Sequence, residues 1–393
     1  MRWQYSVGEL LRNHWDNITT SGIFNSFKIK HLSAISKCRT AALGGHIDAC
    51  DDCGFYKISY NSCGNRHCPT CGALKRETWI VRQEEKLLDV PYFHVVFTIP
   101  HELNELCLQH PRLLYGLLFK TAWQTIQVFA KDSKYLGAKT GMTAVLHTWG
   151  QNLCLHPHLH CIIPGGGLTS AGKWKTTRTD GKYLFPKNAL RKVFKGKFMA
   201  ALKEVAAADT IELPYELKEK LYRKKWVVYA KRPFAKRPFA KPQNVIEYLG
   251  RYTHKTAISN YRLIKVNDQT VTFSYRDYKT GGTIKQMTLA VLAFIRRFAL
   301  HILPHGFGRM RHFGILSSRG QVTQIPIIQS DRGIAKPKLT KLQLRKKALS
   351  RLKTDATCPC CRQKKLQRIL PFPRGEPPDE TYILKQILRM NTL

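Results

Sequence analysis

The sequence predicts an α+β protein with an amino-terminal zinc-binding module over residues 1–88, a central domain over 89–320 and a basic carboxy-terminal tail over 321–393. Three observations carry this prediction. Six of the 12 cysteines lie within the first 85 residues, strand-like and helical patterns alternate through the middle, and a run rich in Lys and Arg lies near the end. A chain of 393 residues is also longer than one hydrophobic core usually takes, so two or three domains are expected.

The charge balance predicts a polyanionic partner. The chain has 65 Lys and Arg against 26 Asp and Glu, a formal net charge of +39. A compact protein repels itself at this charge unless a polyanion neutralises it, and the phosphates of nucleic acid supply that neutralisation. An anionic membrane surface or a ribosome is the alternative partner.

The sequence contains no signal for membrane insertion or secretion. No apolar run approaches the roughly 18 residues of a membrane helix, and no apolar stretch of the secretory type follows Met1. We therefore expect a soluble intracellular protein. Thiols rather than disulfides are expected in that compartment, so the spacing of the cysteines becomes the informative feature.

The elements of the central domain follow from local periodicity. An apolar run closed by prolines predicts a buried strand, apolar residues three and four positions apart predict helices, and alternation with polar residues predicts strands. Pro242 suits the first turn of a helix, and Pro304 ends one. In order, these patterns predict a strand at 90–100, a helix at 113–129, strands at 143–149 and 158–163, a helix at 187–207, a strand at 226–229, a helix at 242–254, a β-meander at 262–290 and a helix at 289–303.

Two segments have unusual sequences. Ala230–Phe234 is repeated at once as Ala235–Phe239, and its prolines forbid a regular helix, so we expect a short duplication in a loop. Residues 336–368 hold twelve Lys and Arg against one acid, which indicates a basic tail or arm. Within it, the cluster Cys358-Pro359-Cys360-Cys361 has too few ligands for a closed zinc site. It either binds zinc together with a partner residue or is only a knuckle of the basic tail.

The amino-terminal cysteines predict a structural zinc site. Cys50 and Cys53 form one Cys-x2-Cys pair, Cys68 and Cys71 form another, and 14 residues separate the pairs. Each pair can place two thiolates on one tight turn, and two such turns complete a tetrahedral site. Basic residues around the site, Arg66 among them, suit contact with phosphates.

Other potential ligands in the same segment leave a second zinc site open. Cys38, His46, Cys63 and His67 are all of ligand type and surround the predicted site. They either form an interleaved second site or are ordinary loop residues around a single zinc ion. In the second case, His67 supports its neighbour Cys68 rather than binding metal itself.

His147, His158 and His160 predict a catalytic metal site. Residues two apart in a strand point to one face, so His158 and His160 project together. His147 lies eleven residues earlier on the preceding strand, and pairing of the two strands would bring all three imidazoles together. Three histidines with an open position are typical of a catalytic ion, whereas hydrogen bonding within a sheet is the alternative. His156 is a rival ligand, but Pro157 is expected to break the strand there.

Tyr248 and Tyr252 lie four residues apart on the predicted helix 242–254 and therefore share a face. They are either part of an apolar core stripe or nucleophiles, and Arg251 and Lys255 beside them suit a phosphate. A tyrosine hydroxyl that attacks a DNA phosphate forms a phosphotyrosine and keeps the bond energy for rejoining. No glycine loop of the Walker type is present, which agrees with chemistry that needs no nucleotide.

Together these motifs resemble those of a known family, the two-tyrosine rolling-circle transposases of the IS91 type, which belong to the HUH endonuclease class. The resemblance covers most of the chain, and the histidine pair combined with the tyrosine pair is its most specific part. Its segments are Cys38–His46, Asn65–Pro69, Pro91–Thr98, Leu146–Gln151, His156–Cys161 and Tyr248–Lys255.

The resemblance implies both a fold and a reaction. The core would be an HUH-endonuclease-like antiparallel sheet flanked by helices, with Tyr248 and Tyr252 as nucleophiles and His158 and His160 as ligands. His147 matches a third histidine in the relaxase branch of the class. The implied substrates are single-stranded DNA at the ends of a mobile element and target DNA, and cleavage leaves a 5′-phosphotyrosine. The implied location is the bacterial cytoplasm, at the nucleoid. The implied catalytic ion is Mg²⁺ or Mn²⁺, beside structural Zn²⁺, and three imidazoles favour Mn²⁺ because Mg²⁺ prefers oxygen.

Two other functions account for part of the sequence. A plasmid replication initiator or relaxase would share the chemistry, but the zinc module and the flanking motifs favour a transposase. A non-catalytic zinc-finger DNA-binding protein would explain the charge and the cysteines, but not the histidines with the tyrosines. The doubled Ala-Lys-Arg-Pro-Phe departs from the family, in which one copy is expected. It lengthens the loop before the tyrosines at little entropic cost.

Overall fold

The computed structural model describes residues 4–86, 88–178, 184–231, 250, 255–333, 339–352, 357–363 and 365–390. The helices are α1 (Val7–Asn13), α2 (Trp15–Thr20), α3 (Ser26–Ser36), α4 (Ala73–Lys86), α5 (Asn104–Gln109), α6 (Pro111–Lys131), α7 (Lys187–Ala207), α8 (Tyr215–Arg223), α9 (Val291–Ala299), α10 (Ser318–Thr323), α11 (Ile325–Asp331), α12 (Lys341–Arg351) and α13 (Glu380–Met390). Among these described helices, none is both long enough and apolar enough to span a membrane.

The strands alternate with these helices and confirm the α+β class. They are β1 (Gly45–Ala49), β2 (Tyr56–Tyr60), β3 (Tyr92–Thr98), β4 (Gly141–Trp149), β5 (Leu155–Pro164), β6 (Gly166–Leu168), β7 (Trp174–Thr176), β8 (Val227–Lys231), β9 (Leu263–Val266), β10 (Thr270–Asp277), β11 (Thr283–Ala290), β12 (Met310–Gly314) and β13 (Gln367–Phe372). The helix expected at 242–254 and most of the duplicated loop lie outside the described residues, apart from Gly250 and the start of the repeat in β8.

The chain divides into two compact units whose segments alternate along the sequence. The first unit comprises Met1–Lys75, Lys255–Ile302 and Leu349–Leu393, and the second comprises Arg76–His254 and Leu303–Ala348. This differs from the expected succession of module, central domain and tail. The β-meander and the carboxy-terminal segment belong with the amino-terminal cysteines, because strand pairing and packing join segments that are distant in sequence.

A five-stranded antiparallel sheet forms the centre of the second unit, with strand order β12-β4-β5-β3-β8. This confirms the expected antiparallel sheet flanked by helices. One face of the sheet carries Phe97, Leu146 and Leu159, which are packed in one core with Leu118 of α6 and Phe194 of α7. Both long helices, α6 and α7, were expected from their apolar periodicity, and they shield this face from water.

The opposite face of the central sheet carries most of its polar side chains. Residues on this face follow from the period of two along each strand. His147 of β4 is paired with His158 of β5, and His160 of β5 is paired with Val96 of β3. His94, two residues from Val96, therefore points to the same side. We call this side the histidine face.

Strand β5 continues through Pro157, so the predicted break before His158 is wrong. The pairing of β4 with β5 shifts register between His147 and Trp149, opposite the proline. A bulge of this kind is where a strand tolerates a residue without an N–H. On the other side, the carbonyl of Pro157 accepts a hydrogen bond from the N–H of Ile99 at 3.4 Å.

The first unit contains a three-stranded sheet of order β13-β1-β2 and the expected meander of order β11-β10-β9. Strand β13 pairs with β1 in antiparallel fashion, so the carboxy-terminal segment is not a separate basic tail. Phe372 of β13 and Ile383 and Ile387 of α13 pack with Ile47 of β1 in one apolar cluster. The prediction followed the positive charge of this segment and missed its apolar residues.

Candidate metal centres

The three histidines predicted as a metal site meet on the histidine face. The ring centroids of His147 and His158 are 5.5 Å apart, those of His147 and His160 are 4.6 Å apart, and those of His158 and His160 are 5.0 Å apart. Each ring offers a nitrogen that lies within 4.8 Å of the other two, close enough for one ion to contact all three. His147 is buried, whereas His158 and His160 are half-buried. The arrangement therefore has one closed side and one side accessible to a ligand.

Hydrogen bonds through Nδ1 orient two of the rings. Nδ1 of His158 lies 2.6 Å from the carbonyl oxygen of His156. Because a carbonyl only accepts, Nδ1 carries the proton and donates it. Nδ1 of His160 lies 2.9 Å from Nε2 of His94. For His160 to bind a metal through Nε2, its Nδ1 must carry the proton and donate to His94.

His94 was missed by the sequence analysis, although it is a lone histidine within an otherwise apolar strand. Its replacement by Gln tests its positioning role. We expect His94→Gln to weaken Mn²⁺ binding by roughly 10- to 100-fold, the usual cost of losing a partner that orients a metal-bound histidine. The measurement is Mn²⁺ titration followed by electron paramagnetic resonance. His305→Gln, at an exposed histidine outside the three, is the matched control. Equal affinity in the two variants would contradict the assignment.

The third ring, that of His147, is held by stacking. It lies against Trp149 with a centroid separation of 4.6 Å and an interplanar angle of 17°. The guanidinium of Arg309 covers the Trp149 ring at 4.8 Å, and its Nε donates to the carbonyl of Leu146 at 3.1 Å. Trp149 and Arg309 thus limit the rotation of His147. Arg309 is too distant in sequence for local patterns to associate it with this site.

A further histidine, His312 of β12, lies in the same sheet but has a different role. Its Nδ1 is 2.9 Å from the hydroxyl of Thr143. Burial, with a contribution from the charge of Lys86, lowers the pKa of His312 to about 4. At neutral pH this ring is therefore uncharged, and it adds no positive charge to the histidine face.

The expected nucleophiles Tyr248 and Tyr252, and Arg251 between them, lie outside the described residues. Gly250 is described, and it is helical and buried. A Cβ atom at Gly250 would be 2.3 Å from Cδ1 of Ile80 in α4, so the two residues are in tight contact. Ile80 in turn belongs to an apolar cluster that includes Ile162, and Ile162 alternates in phase with His158 and His160 along β5.

The contact of Gly250 with Ile80 predicts a large cost for any added side chain. We expect Gly250→Ala to lower the free energy of unfolding by about 1–3 kcal/mol, the usual cost of overpacking. Urea denaturation measures this change. Gly116→Ala is the control, because Gly116 lies in α6 with no atom within 4 Å of the added Cβ, and Ala there should stabilise by up to about 1 kcal/mol. Addition of Ile80→Ala to Gly250→Ala should relieve the clash, and strictly additive costs would contradict this contact.

The predicted zinc ligands form two clusters, but not in the predicted grouping. Ligand atoms within each cluster lie within 4.8 Å of one another. Cys68 and Cys71 meet two cysteines that were assigned to the possible second site, and Cys50 and Cys53 meet two from the carboxy-terminal segment. The first cluster is Cys38, Cys63, Cys68 and Cys71, and the second is Cys50, Cys53, Cys358 and Cys361.

The geometry of the β1–β2 hairpin explains why the spacing of the cysteines predicted the wrong grouping. Cys50 and Cys53 lie at its closed end, whereas Cys38 precedes β1 and Cys63 follows β2 at its open end. Five-residue strands separate these ends by about 17 Å. Cys50 and Cys53 are therefore too far from Cys38 and Cys63 to share an ion with them. The spacing identified pairs of cysteines that each lie in a cluster, but not which pairs meet.

The histidines assigned to the possible second zinc site have other partners. Nε2 of His46 lies 3.3 Å from a carboxylate oxygen of Asp48 and 3.0 Å from the guanidinium of Arg368. His67 is buried, and its Nε2 accepts a hydrogen bond from Nε of Arg66 at 3.2 Å. Neither histidine belongs to a cysteine cluster.

The cations expected to contact DNA are accessible where they are described. Arg66 is exposed while it donates to His67. Lys255 belongs to the first unit and is exposed. Partial desolvation, together with the charge of Arg262, lowers the pKa of Lys255. Because Lys255 lies near the positive charge of Arg262, this part of the surface suits an anionic partner.

Comparisons with known proteins agree with this arrangement. Residues 141–323 match the family described as "Putative transposase", and residues 10–99 match the "Transposase zinc-binding domain" of the IS91 type. The chain is 40% identical over 349 residues to "Putative transposase y4qJ" of Sinorhizobium fredii, covering 84% of this chain and 86% of that protein. It is 29% identical over 336 residues to "Transposase for insertion sequence element IS801" of Pseudomonas savastanoi pv. phaseolicola, covering 82% and 78%. No solved structure matches the chain.

The antiparallel sheet with its histidine face, the cysteine clusters and these matches together define a transposase, a protein that acts on DNA. The chain belongs to the IS91-type family of transposases. The match to the zinc-binding domain spans all four residues of the first cysteine cluster, which supports structural zinc there.

Proposed function

We propose that this transposase cuts one strand of DNA with a tyrosine hydroxyl and later rejoins it, as an HUH endonuclease in rolling-circle transposition. The observation that carries the proposal is the set of three imidazoles at the accessible end of a hairpin on the histidine face. A structural histidine cluster needs no accessible side. A catalytic ion needs one, because the substrate must reach it.

The position of Gly250 supports Tyr248 and Tyr252 as nucleophiles. Each tyrosine is two residues from Gly250, so its Cα lies within about 7 Å of the Cα of Gly250 by chain length alone. Gly250 contacts Ile80, whose apolar cluster includes Ile162 two residues beyond His160. Gly250 itself therefore lies against the apolar cluster that includes Ile162, which supports a place for the tyrosines beside it near the histidine face.

The proposed reaction is a transesterification at phosphorus. The tyrosine oxygen forms a bond to the phosphorus atom while the bond from phosphorus to the 3′ oxygen breaks. The phenol loses its proton and the released 3′ oxygen gains one, so the products are a 5′-phosphotyrosine and a 3′-hydroxyl. Attack of a 3′-hydroxyl on the phosphotyrosine reverses these steps and joins strands. Two tyrosines permit two successive transfers without release of an end.

The three imidazoles would hold the divalent ion of this reaction through neutral Nε2 atoms. When bound, the ion would polarise a phosphate oxygen and stabilise the charge that develops on it. The cluster offers three nitrogens and no carboxylate. This donor set favours Mn²⁺ over Mg²⁺, which prefers oxygen ligands.

The substrate we propose is single-stranded DNA at the ends of a mobile element, together with target DNA, in the bacterial cytoplasm at the nucleoid. The net charge of +39 supports a polyanionic substrate. The exposed Arg66 and Lys255 would contact the backbone, and Arg251 is proposed to act beside the tyrosines.

The proposal is tested with oligonucleotides from the sequences that flank the gene. In Mn²⁺, a single-stranded oligonucleotide is expected to give a covalent protein–DNA adduct that survives denaturation, together with a fragment that ends in a 3′-hydroxyl. The corresponding duplex is expected to give little adduct. Binding without any adduct in Mg²⁺, Mn²⁺ or Co²⁺ would instead indicate a DNA-binding protein without this chemistry.

A further inference from the structure

The second cysteine cluster brings together residues from both ends of the chain. Sγ of Cys50 lies 3.7 Å from Sγ of Cys361, and Sγ of Cys53 lies 3.6 Å from Sγ of Cys358. A disulfide would require about 2.05 Å, so the four are separate thiols. Sulfurs at about 2.3 Å from a zinc ion lie about 3.8 Å from one another in a tetrahedron. The observed separations therefore fit a site of four thiolates around one ion.

The backbone of both cysteine turns has the same form. The N–H of Gly54 donates to the carbonyl of Cys50 at 3.1 Å, and the N–H of Arg362 donates to the carbonyl of Cys358 at 3.0 Å. Gly54 and Arg362, each directly after the second cysteine of its pair, have φ of 70° and 58°. Glycine adopts this left-handed conformation freely, whereas an arginine is strained in it.

The left-handed backbone at Arg362 has a counterpart after a cysteine of the first cluster. Among the described residues other than glycine, four have positive φ, and two of them, Arg39 and Arg362, directly follow a clustered cysteine. Cys38, which precedes Arg39, belongs to the cluster within the zinc-binding family domain. Like the first cluster, the second therefore has four thiols and a residue of left-handed backbone directly after one of its cysteines.

The register of the amino-terminal sheet explains how the distant cysteines meet. Ala49 at the end of β1 is paired with Gln367 at the start of β13. The segment before β13 thus lies beside the turn that follows β1, where Cys50 and Cys53 are found. Residues 305 positions apart in sequence, Cys53 and Cys358, come into contact in this way.

We propose that Cys50, Cys53, Cys358 and Cys361 bind a second structural Zn²⁺, which fastens the carboxy-terminal segment to the amino-terminal module. Binding displaces the four thiol protons to solvent and leaves four thiolates on the ion. The match to the zinc-binding domain covers residues 10–99 and so contains only half of this site. The module is completed by the other end of the chain, and the carboxy-terminal segment is part of it.

Zinc content per chain tests the proposal without any DNA. The full-length protein and two variants are dialysed and analysed for metals by mass spectrometry. Cys358→Ser with Cys361→Ser is expected to lose one zinc per chain relative to the unmodified protein. Cys360→Ser is the matched control, because Cys360 is exposed in the same turn and outside the cluster; it is expected to lose none. An unchanged zinc content in the double variant, or iron in place of zinc, would overturn the proposal.

Alkylation of the unmodified protein gives a second test that does not depend on how a variant folds. Cys53, Cys154 and Cys360 are all exposed. Cys154 and Cys360 are expected to react with N-ethylmaleimide at once, whereas Cys53 is expected to react only after zinc is removed by a chelator. Peptide mass spectrometry reports each position. Reaction of Cys53 at the rate of Cys360 before chelation would show that Cys53 is not a metal ligand. Neither test depends on DNA cleavage, so their outcome is independent of the proposed reaction.

Discussion

Replacement of both Tyr248 and Tyr252 by Phe is expected to abolish the covalent adduct with single-stranded DNA. Phe keeps the ring and removes only the hydroxyl, so packing of the segment should be retained while the nucleophile is lost. The adduct is expected to fall below detection on a denaturing gel. Affinity for the same oligonucleotide should stay within about threefold, since backbone contacts from Lys and Arg supply most of it.

The single variants serve as controls for this prediction. Tyr248→Phe and Tyr252→Phe should each retain some cleavage if either hydroxyl can reach the phosphate. Tyr229→Phe, at an exposed tyrosine of β8 in the same unit, should leave the adduct unchanged. An undiminished adduct in the double variant would show that another group attacks the DNA.

Replacement of His158 by Ala is expected to abolish cleavage while the protein remains folded. His158 offers one of three nitrogens to the ion, and its own orientation is fixed by the carbonyl of His156. Loss of a partner behind a ligand typically costs 10- to 100-fold, so loss of the ligand itself should cost at least about 100-fold. The rate of adduct formation in Mn²⁺ measures the effect.

His156→Ala is the matched control for this change. His156 is exposed on the same strand, and the hydrogen bond that orients His158 is made to its backbone carbonyl, which alanine keeps. The control should cleave within a few-fold of the unmodified protein. Both variants should keep their full zinc content, because the cysteine clusters lie in the other unit. Loss of that zinc in His158→Ala would indicate that the histidines and cysteines do not form separate sites.

The histidine site could be predicted because its geometry is local. His147 and His158 face each other across one hairpin, and the alternation of a strand adds His160. The partner of His160 could not be found in this way, because His94 comes from β3, more than sixty residues away in sequence. Arg309, which covers Trp149, is equally remote. Local spacing therefore indicates ligands, whereas the groups that orient them depend on the topology of the sheet.

The zinc module shows the same limit more strongly. The pairs around Cys50 and Cys68 each lie in a cluster of four cysteines, yet each pair meets different cysteines from those expected. The partner of the first pair lies in a segment whose positive charge suggested a tail. Its apolar positions, Phe372 in β13 and Ile383 in α13, are the signal that could have indicated a folded element. Sheet pairing between the ends of a chain leaves no trace in local periodicity.

The measurement that tests the account most directly is peptide mapping of the covalent adduct. The transposase is incubated with a single-stranded oligonucleotide in Mn²⁺, digested with protease and nuclease, and analysed by mass spectrometry. A nucleotide joined through its 5′ phosphate to Tyr248 or Tyr252 is the predicted result. A nucleotide joined to any other residue, or a cleaved strand without attached protein, would contradict the proposed reaction.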